Sequence, residues 1–144
     1  MKTLRHMRGM TLIELMVVVS IVAILGTFAI SSYRNYLLRT NRTDGRQALL
    51  RIQVAEEKFF LQNNTYTTDF TSAPSAGGLG VSGATTNGGY YTLTVTPGGT
   101  GIASSYVATA TATAGQTADT AACLTLSIND QGIRTPDDSS GCWK

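Results

Sequence analysis

Met10-Thr11-Leu12-Ile13-Glu14-Leu15-Met16-Val17-Val18-Val19-Ser20 begins an apolar run that continues to Ile30. It follows the cations Lys2, Arg5 and Arg8 and then the small residue Gly9. From Met10 to Ile30 the only charge is Glu14. As a helix, such a run spans roughly 30 Å, about one hydrocarbon core. Cations ahead of it favour a cytoplasmic N-terminus, which would place the rest of the chain outside the cytoplasm. A carboxylate at mid-helix in a membrane costs near +3 kcal/mol, so Glu14 is a candidate functional residue by default. An ordinary cleaved signal peptide is the competing reading, with Thr27-Phe28-Ala29 as a small-residue cut site. Glu14 and the length of the run both speak against it.

The 144 residues suit one domain plus an anchor, and no second apolar run of comparable length follows. The net charge of +2 is misleading, because three of the eleven basic side chains lie before Met10. Beyond them the balance is slightly acidic, which excludes a general polyanion binder. The charge is also uneven. Arg34, Arg39, Arg42, Arg46, Arg51 and Lys58 stand against Asp44, Glu56 and Glu57, whereas the chain from Phe59 onward is acidic.

An uninterrupted helix is expected from about Thr11 to about Gln62, since there is no Pro before Pro74. Gly26 and Gly45 are its weak points, each costing about 1 kcal/mol relative to Ala. Ala48, Ile52, Ala55 and Phe59 recur at helical spacing and should pack on a core, and Asn63-Asn64 is a plausible stop. Residues 71–89, rich in Gly, Ser, Ala and Thr, read as a long surface loop. Three alternating patterns then predict antiparallel strands: Tyr91-Leu93-Val95, Tyr106-Ala108-Ala110-Ala112 and Leu124-Leu126-Ile128. The Leu and Tyr faces should cover the helix, which would point Cys123 away from the core. After Asn129-Asp130-Gln131-Gly132 the chain is expected to be irregular.

Cys123 and Cys142 suggest a disulfide if the domain is exported, with two free thiols as the alternative. Two Cys alone do not fill a zinc site, and the sole His is His6. That inventory also argues against an enzyme, as no later His can act as a base and no phosphate loop is present. No cofactor is expected. Asp130, Asp137 and Asp138 do not match a calcium loop. Glu56-Glu57 is read as a solvated helix face. Tyr90, Tyr91 and Tyr106 are read as strand packing, Trp143 as a lid on the disulfide, and Asn63-Asn64-Thr65 as a chance glycosylation sequon.

Gly9-Met10-Thr11-Leu12-Ile13-Glu14 with its apolar continuation closely resembles the class III signal of type IV pilins. The resemblance extends along the chain. Residues 48–60, Asn63-Asn64-Thr65-Tyr66-Thr67, Cys123-Leu124-Thr125-Leu126 and Gly141-Cys142-Trp143 look like the PilE-type minor pilins. The implied fold is α+β. A long N-terminal α-helix, apolar in its first half and amphipathic in its second, packs on a small antiparallel sheet with a disulfide-closed C-terminal region.

The implied organisation is a cleaved leader (1–9), a membrane and filament-core helix (10–33) and a periplasmic globular domain (34–144). A prepilin peptidase would cut between Gly9 and Met10 and methylate the new amine of Met10. Glu14 would neutralise the N-terminal amine of a neighbouring subunit, an attraction much stronger in an apolar filament core than in water. Implied partners are other pilin subunits, major and minor, the peptidase, the inner-membrane assembly platform and, before assembly, the inner membrane. The resemblance implies a minor pilin at or near the pilus tip, supporting adhesion, twitching motility or DNA uptake. The alternatives are a major pilin, a type II secretion pseudopilin, or a pilus-borne receptor for DNA or a surface. Nucleic acid is the less favoured partner, because the arginines of the 34–51 stretch are read first as solvated or as pairing with neighbouring subunits. Two departures from the family stand out. Met10 replaces the usual Phe, and Ser31 stands where a Pro is common, so the helix is expected to be straighter there.

Overall fold

A computed structural model describes residues 10–81, 83–113 and 115–144. The chain divides into two compact units, with the division between Tyr36 and Leu37. One helix, α1 (Leu12–Asn63), contributes to both. Its limits lie within two residues of those expected from the sequence. Asn64 ends it in the left-handed conformation (φ 55°), which Asn tolerates better than most side chains. Its N–H still reaches back to the Phe60 carbonyl, at 2.8 Å.

In the second unit, the amphipathic half of α1 shares a core with a four-stranded antiparallel sheet: β1 (Tyr91–Pro97), β2 (Tyr106–Ala112), β3 (Thr125–Asn129) and β4 (Arg134–Thr135). The strands lie in sequence order. The register sets Leu93 opposite Ala110 and Ala110 opposite Leu126, so the buried set of each strand lies on one face. Ala48, Leu49 and Ile52 on α1 join Tyr91, Leu93, Tyr106, Ala108, Leu126 and Ile128 in one apolar cluster. Fully burying Leu49 or Ile52 stabilises by about 1.5–3 kcal/mol each. Gly45 has a packing reason: a Cβ there would lie 3.0 Å from the Tyr91 ring. Glycine lets the aromatic side chain of β1 approach the helix backbone.

Two expectations need correction and one gains detail. The described residues of the 71–89 stretch form the expected loop, with a 3-10 turn at Pro74–Ala76. The Leu79 and Val81 N–H groups donate to the Asp69 and Phe70 carbonyls at 3.1 and 2.9 Å. The Leu93 N–H donates to the Ala84 carbonyl at 2.8 Å, and the Gly88 N–H to Asp44 Oδ2 at 3.0 Å. The loop is thus tied to both β1 and α1. Secondly, Cys123 does not point away from the core. The third strand starts at Thr125, and Cys123 lies in a 3-10 turn (Ala121–Cys123) that directs it into the apolar cluster. Alternation therefore does not hold through residues 123–124. Thirdly, the chain after Gly132 is not wholly irregular. Asn129 Oδ1 accepts the Gln131 and Ile133 N–H groups, Gly132 turns with φ 73°, and β4 pairs with β3.

Candidate functional site

Gly9 lies outside the described residues, so the expected cut is seen only from its Met10 side. Met10 and Thr11 are exposed and precede the first helical residue. Thr11 Oγ1 accepts the Glu14 N–H at 3.3 Å. This is one arm of a capping box, Ser/Thr three residues before Glu, which satisfies an otherwise orphaned helix donor. Glu14 also lies in the first helical turn, where a negative charge interacts favourably with the helix dipole. Glu14 therefore has a local structural role that its position within an apolar run had obscured. Among the described residues no cation pairs with its carboxylate.

No residue from Met10 to Leu37 is buried. Leu12 is 78% and Phe28 72% exposed, and Val17, Val18, Ile21, Val22, Ile24 and Leu25 are exposed in every helical direction. By length and composition the helix can cross a membrane. An all-round apolar helix of this kind needs lipid or other helices as its surroundings. Ser20 and Thr27 do not disturb it, since their hydroxyls donate to the Met16 and Ile24 carbonyls at 2.8 and 2.7 Å.

The basic face of the second unit is not uniformly solvated. Arg42 is buried within its own chain. Its Nε donates to Asp119 Oδ2 at 2.7 Å, its Nη2 to Asp119 Oδ1 and to Thr120 Oγ1, and its Nη1 to the Gly141 carbonyl at 3.5 Å. Gln116 Nε2 donates to Asp119 Oδ2 at 2.9 Å and to the Leu38 carbonyl at 2.8 Å. Burial pushes the Asp119 carboxyl up, but the Arg42 hydrogen bonds and the Thr120 N–H outweigh it and hold it below the usual range. Arg46, one turn further on, donates to Thr43 Oγ1 and to the Lys144 carbonyl. Two arginines expected on a solvated or subunit-pairing face instead fasten residues 116–120 and 141–144 to α1. Arg34, Arg39, Arg51 and Lys58 remain exposed.

Cys123 and Cys142 form the disulfide, with Cα atoms 5.4 Å apart and both residues buried. The Tyr91 hydroxyl donates to the Cys123 carbonyl at 3.4 Å. Trp143, next to the bridge, is itself buried, and the Arg134 guanidinium stands 5.3 Å from its ring centroid, a cation–π distance. Arg134 and Arg46, far apart in sequence, thus both contact the last two residues, Trp143 and Lys144.

Glu56 overturns a further expectation. Far from being solvated, it is wholly buried. Its Oε2 accepts the Thr67 N–H at 3.2 Å, and its Oε1 has no hydrogen-bond partner. Burial is the main cause that pushes the carboxyl up to about 7, with the neighbouring Glu57 charge adding to it and the Thr67 hydrogen bond opposing it. The helical spacing of Ile52 and Phe59 places Glu56 on their buried side, so the signal was present but masked by the charge type.

Residues 31–127 match the family model described as type IV minor pilin ComP, DNA uptake sequence receptor. Residues 4–30 match the prokaryotic N-terminal methylation motif. The chain is similar to the type IV major fimbrial protein FimA of Dichelobacter nodosus, with 39% identity over 82 residues, 56% of this chain and 46% of that protein. It is similar to prepilin peptidase-dependent protein D of Escherichia coli, with 45% identity over 56 residues, 39% of this chain and 38% of that protein. The type IV major pilin protein PilA of Myxococcus xanthus is 36% identical over 65 residues, 45% of this chain and 29% of that protein. The matched stretches thus span less than half the length of these curated relatives. A type IV pilin from Shewanella oneidensis shares the fold at a TM-score of 0.52 and 23% identity, over 74% of this chain and 98% of that one.

Proposed function

The chain belongs to the type IV pilin family, and within that family we propose that it is a minor pilin, a structural subunit that primes pilus assembly and sits at or near the tip. Prepilin peptidase cuts between Gly9 and Met10 and methylates the Met10 amine. The apolar half of α1 holds the subunit in the inner membrane, with the globular unit in the periplasm. The assembly platform then transfers it into a filament, where major and minor pilins replace lipid around the helix. The observation that carries this reading is the unburied apolar stretch from Met10 onward, headed by a carboxylate with no cation beside it among the described residues. In a filament, Glu14 meets the N-terminal amine of a neighbour. Each of the two charges is costly alone in apolar surroundings, so the pair sets register. Trace abundance in sheared pili supports the minor role, whereas bulk abundance indicates the major pilin named among the relatives.

A second reading is a pilus-borne DNA receptor. The family model that matches residues 31–127 carries that description. Arg134, exposed and set against Trp143, supplies a cation for phosphate. Filter binding of double-stranded DNA to the full chain in detergent tests it. A receptor retains DNA in a salt-sensitive manner and loses affinity in Arg134→Ala; no retention at low salt removes the idea.

A further inference from the structure

Glu56 occupies a position where a neutral side chain would be the simpler choice. It lies on α1 facing the segment that leaves the helix, and it is fully enclosed. One carboxylate oxygen holds the Thr67 N–H, and the other is buried without a partner. The Tyr106 hydroxyl, from β2, is likewise buried without a partner. The ionisable groups that act on this pocket come from every element around it: Glu57 on α1, Tyr66 on the segment after the helix, Tyr106 on β2 and Asp130 after β3. All of them are neutral or negative. The Tyr66 hydroxyl donates to Glu57 Oε1 at 3.4 Å, and the Tyr66 ring stacks on Phe60 and lies tilted against Tyr106 with centroids 4.8 Å apart. No cation in this set compensates an ionised Glu56, and a buried unpaired carboxylate is strongly unfavourable.

We propose that Glu56 is a proton-operated latch: protonated, it closes the joint between the end of α1 and the segment 64–70 against β2, and ionised, it loosens that joint. The carboxylic acid keeps the Thr67 acceptor and gains a donor in a pocket that holds an unpartnered hydroxyl. The carboxylate keeps the acceptor but carries a charge that only opening to water can solvate. The direction of the shift sets the window. With the closed-state carboxyl raised to about 7 from 4.5, closure is firmest below the ordinary carboxylate range. It weakens by up to about tenfold per pH unit as the pH rises toward 7, and the loss levels off above that. The segment at stake carries Tyr66 and Phe70, both part of the apolar core. A change in the pH around the pilin domain would therefore alter the order of one end of it while leaving the disulfide-closed end intact.

Amide hydrogen exchange of the full chain in detergent micelles, wild type beside Glu56→Gln at each pH from 5 to 8, tests the latch. The paired comparison removes the intrinsic pH dependence of exchange. Protection of Thr67 in the wild type, relative to Glu56→Gln, should fall as the pH rises through the window and then become constant. Parallel protection in the two proteins across the range would overturn the proposal. Should Glu56→Gln not fold, carbon-13 NMR of the wild-type Glu56 carboxyl decides. A midpoint near 7 accompanied by broadening of Thr67 supports the latch, and a midpoint in the ordinary carboxylate range overturns it.

Discussion

Arg42 on α1 holds Asp119 with two arms of its guanidinium, Nε to Oδ2 at 2.7 Å and Nη2 to Oδ1, although 77 residues separate them. Both side chains are largely buried, at 10% and 3% exposure. A buried pair of this kind need not add net stability over an apolar pair, but losing one partner leaves the other charge unpaired. Arg42→Ala should therefore destabilise the protein by about 3–5 kcal/mol, and Asp119→Ala similarly. The double variant should cost less than the two singles together. Denaturant melts of all four proteins in detergent check this, and additive losses would mean that the two residues do not act on each other.

The same pair gives an acid limit. Asp119 has a lowered carboxyl pKa in the folded state, so its contribution is complete above the ordinary carboxylate range and is lost as the pH falls through the folded value. Glu56 works in the opposite sense. Its pKa is raised to about 7, so the folded protein binds the proton more tightly than the unfolded chain does, and stability falls as the pH rises from 4.5 to 7. The slope approaches about 1.4 kcal/mol per pH unit within that window. Melting temperatures from pH 4 to 9 should show this decline in the wild type and lack it in Glu56→Gln.

Gly45→Val should destabilise the helix–sheet contact, because the nearest Tyr91 ring atom lies 3.0 Å from the position of a first side-chain carbon. The overpacking should cost about 1–3 kcal/mol and exceed any helix-propensity gain. Gly26→Val, with nothing within 4 Å of its Cβ position, is the control and should leave the melt of the globular unit unchanged. Equal effects at the two sites would contradict the role given to Gly45.

Reducing the Cys123–Cys142 bridge, or replacing both residues by Ser, removes a cross-link over 19 positions. The chain-entropy cost is about 3 kcal/mol. The Arg42–Gly141 and Arg46–Lys144 contacts should hold the C-terminal segment near α1 even so. Proteolysis after residue 130 should accordingly be slow in the reduced protein and fast once Arg42→Ala and Arg46→Ala are added.

The long helix, its stop at Asn63-Asn64 and three of the four strands were legible because each rests on local periodicity. The Cys pair was legible from residue type and placement. What escaped depends on tertiary contact. Arg42 and Glu56 look like surface residues by type, and only the return of residues 116–120 and 66–67 over the helix buries them. In the sequence Cys123 continues the alternation of its neighbours, but a short 3-10 turn breaks the period just before β3. Two-residue β4 carries too few side chains to make a pattern, and its pairing depends on the Asn129 turn. At the N-terminus the apolar run is evident in the sequence, and the Thr11–Glu14 spacing is itself a capping-box signal, masked by the place of the carboxylate within that run.

The cap separates two roles at Glu14. Glu14→Ala keeps the backbone N–H that Thr11 accepts, so the helix start should survive. Leader cleavage and membrane insertion should be normal, while incorporation into sheared pili should fall sharply. Thr11→Ala, which removes the cap at a cost of about 1 kcal/mol, should be incorporated. Wild-type levels of Glu14→Ala in pili would count against the register role.

Gly9→Arg should accumulate as an uncleaved precursor, because a large charged side chain replaces the smallest residue at the expected cut. Immunoblots of membrane fractions distinguish precursor from mature chain by the loss of the nine leading residues. Normal processing of this variant would contradict the assignment of the cut.

The most direct test is the amino terminus of the chain recovered from sheared pili, read by peptide mass spectrometry. A filament subunit of this family should begin at Met10, carry a methyl group on that amine and retain the whole apolar run to Ile30. A mature chain beginning at Ile30, or one that is never found in the pilus fraction, would contradict it.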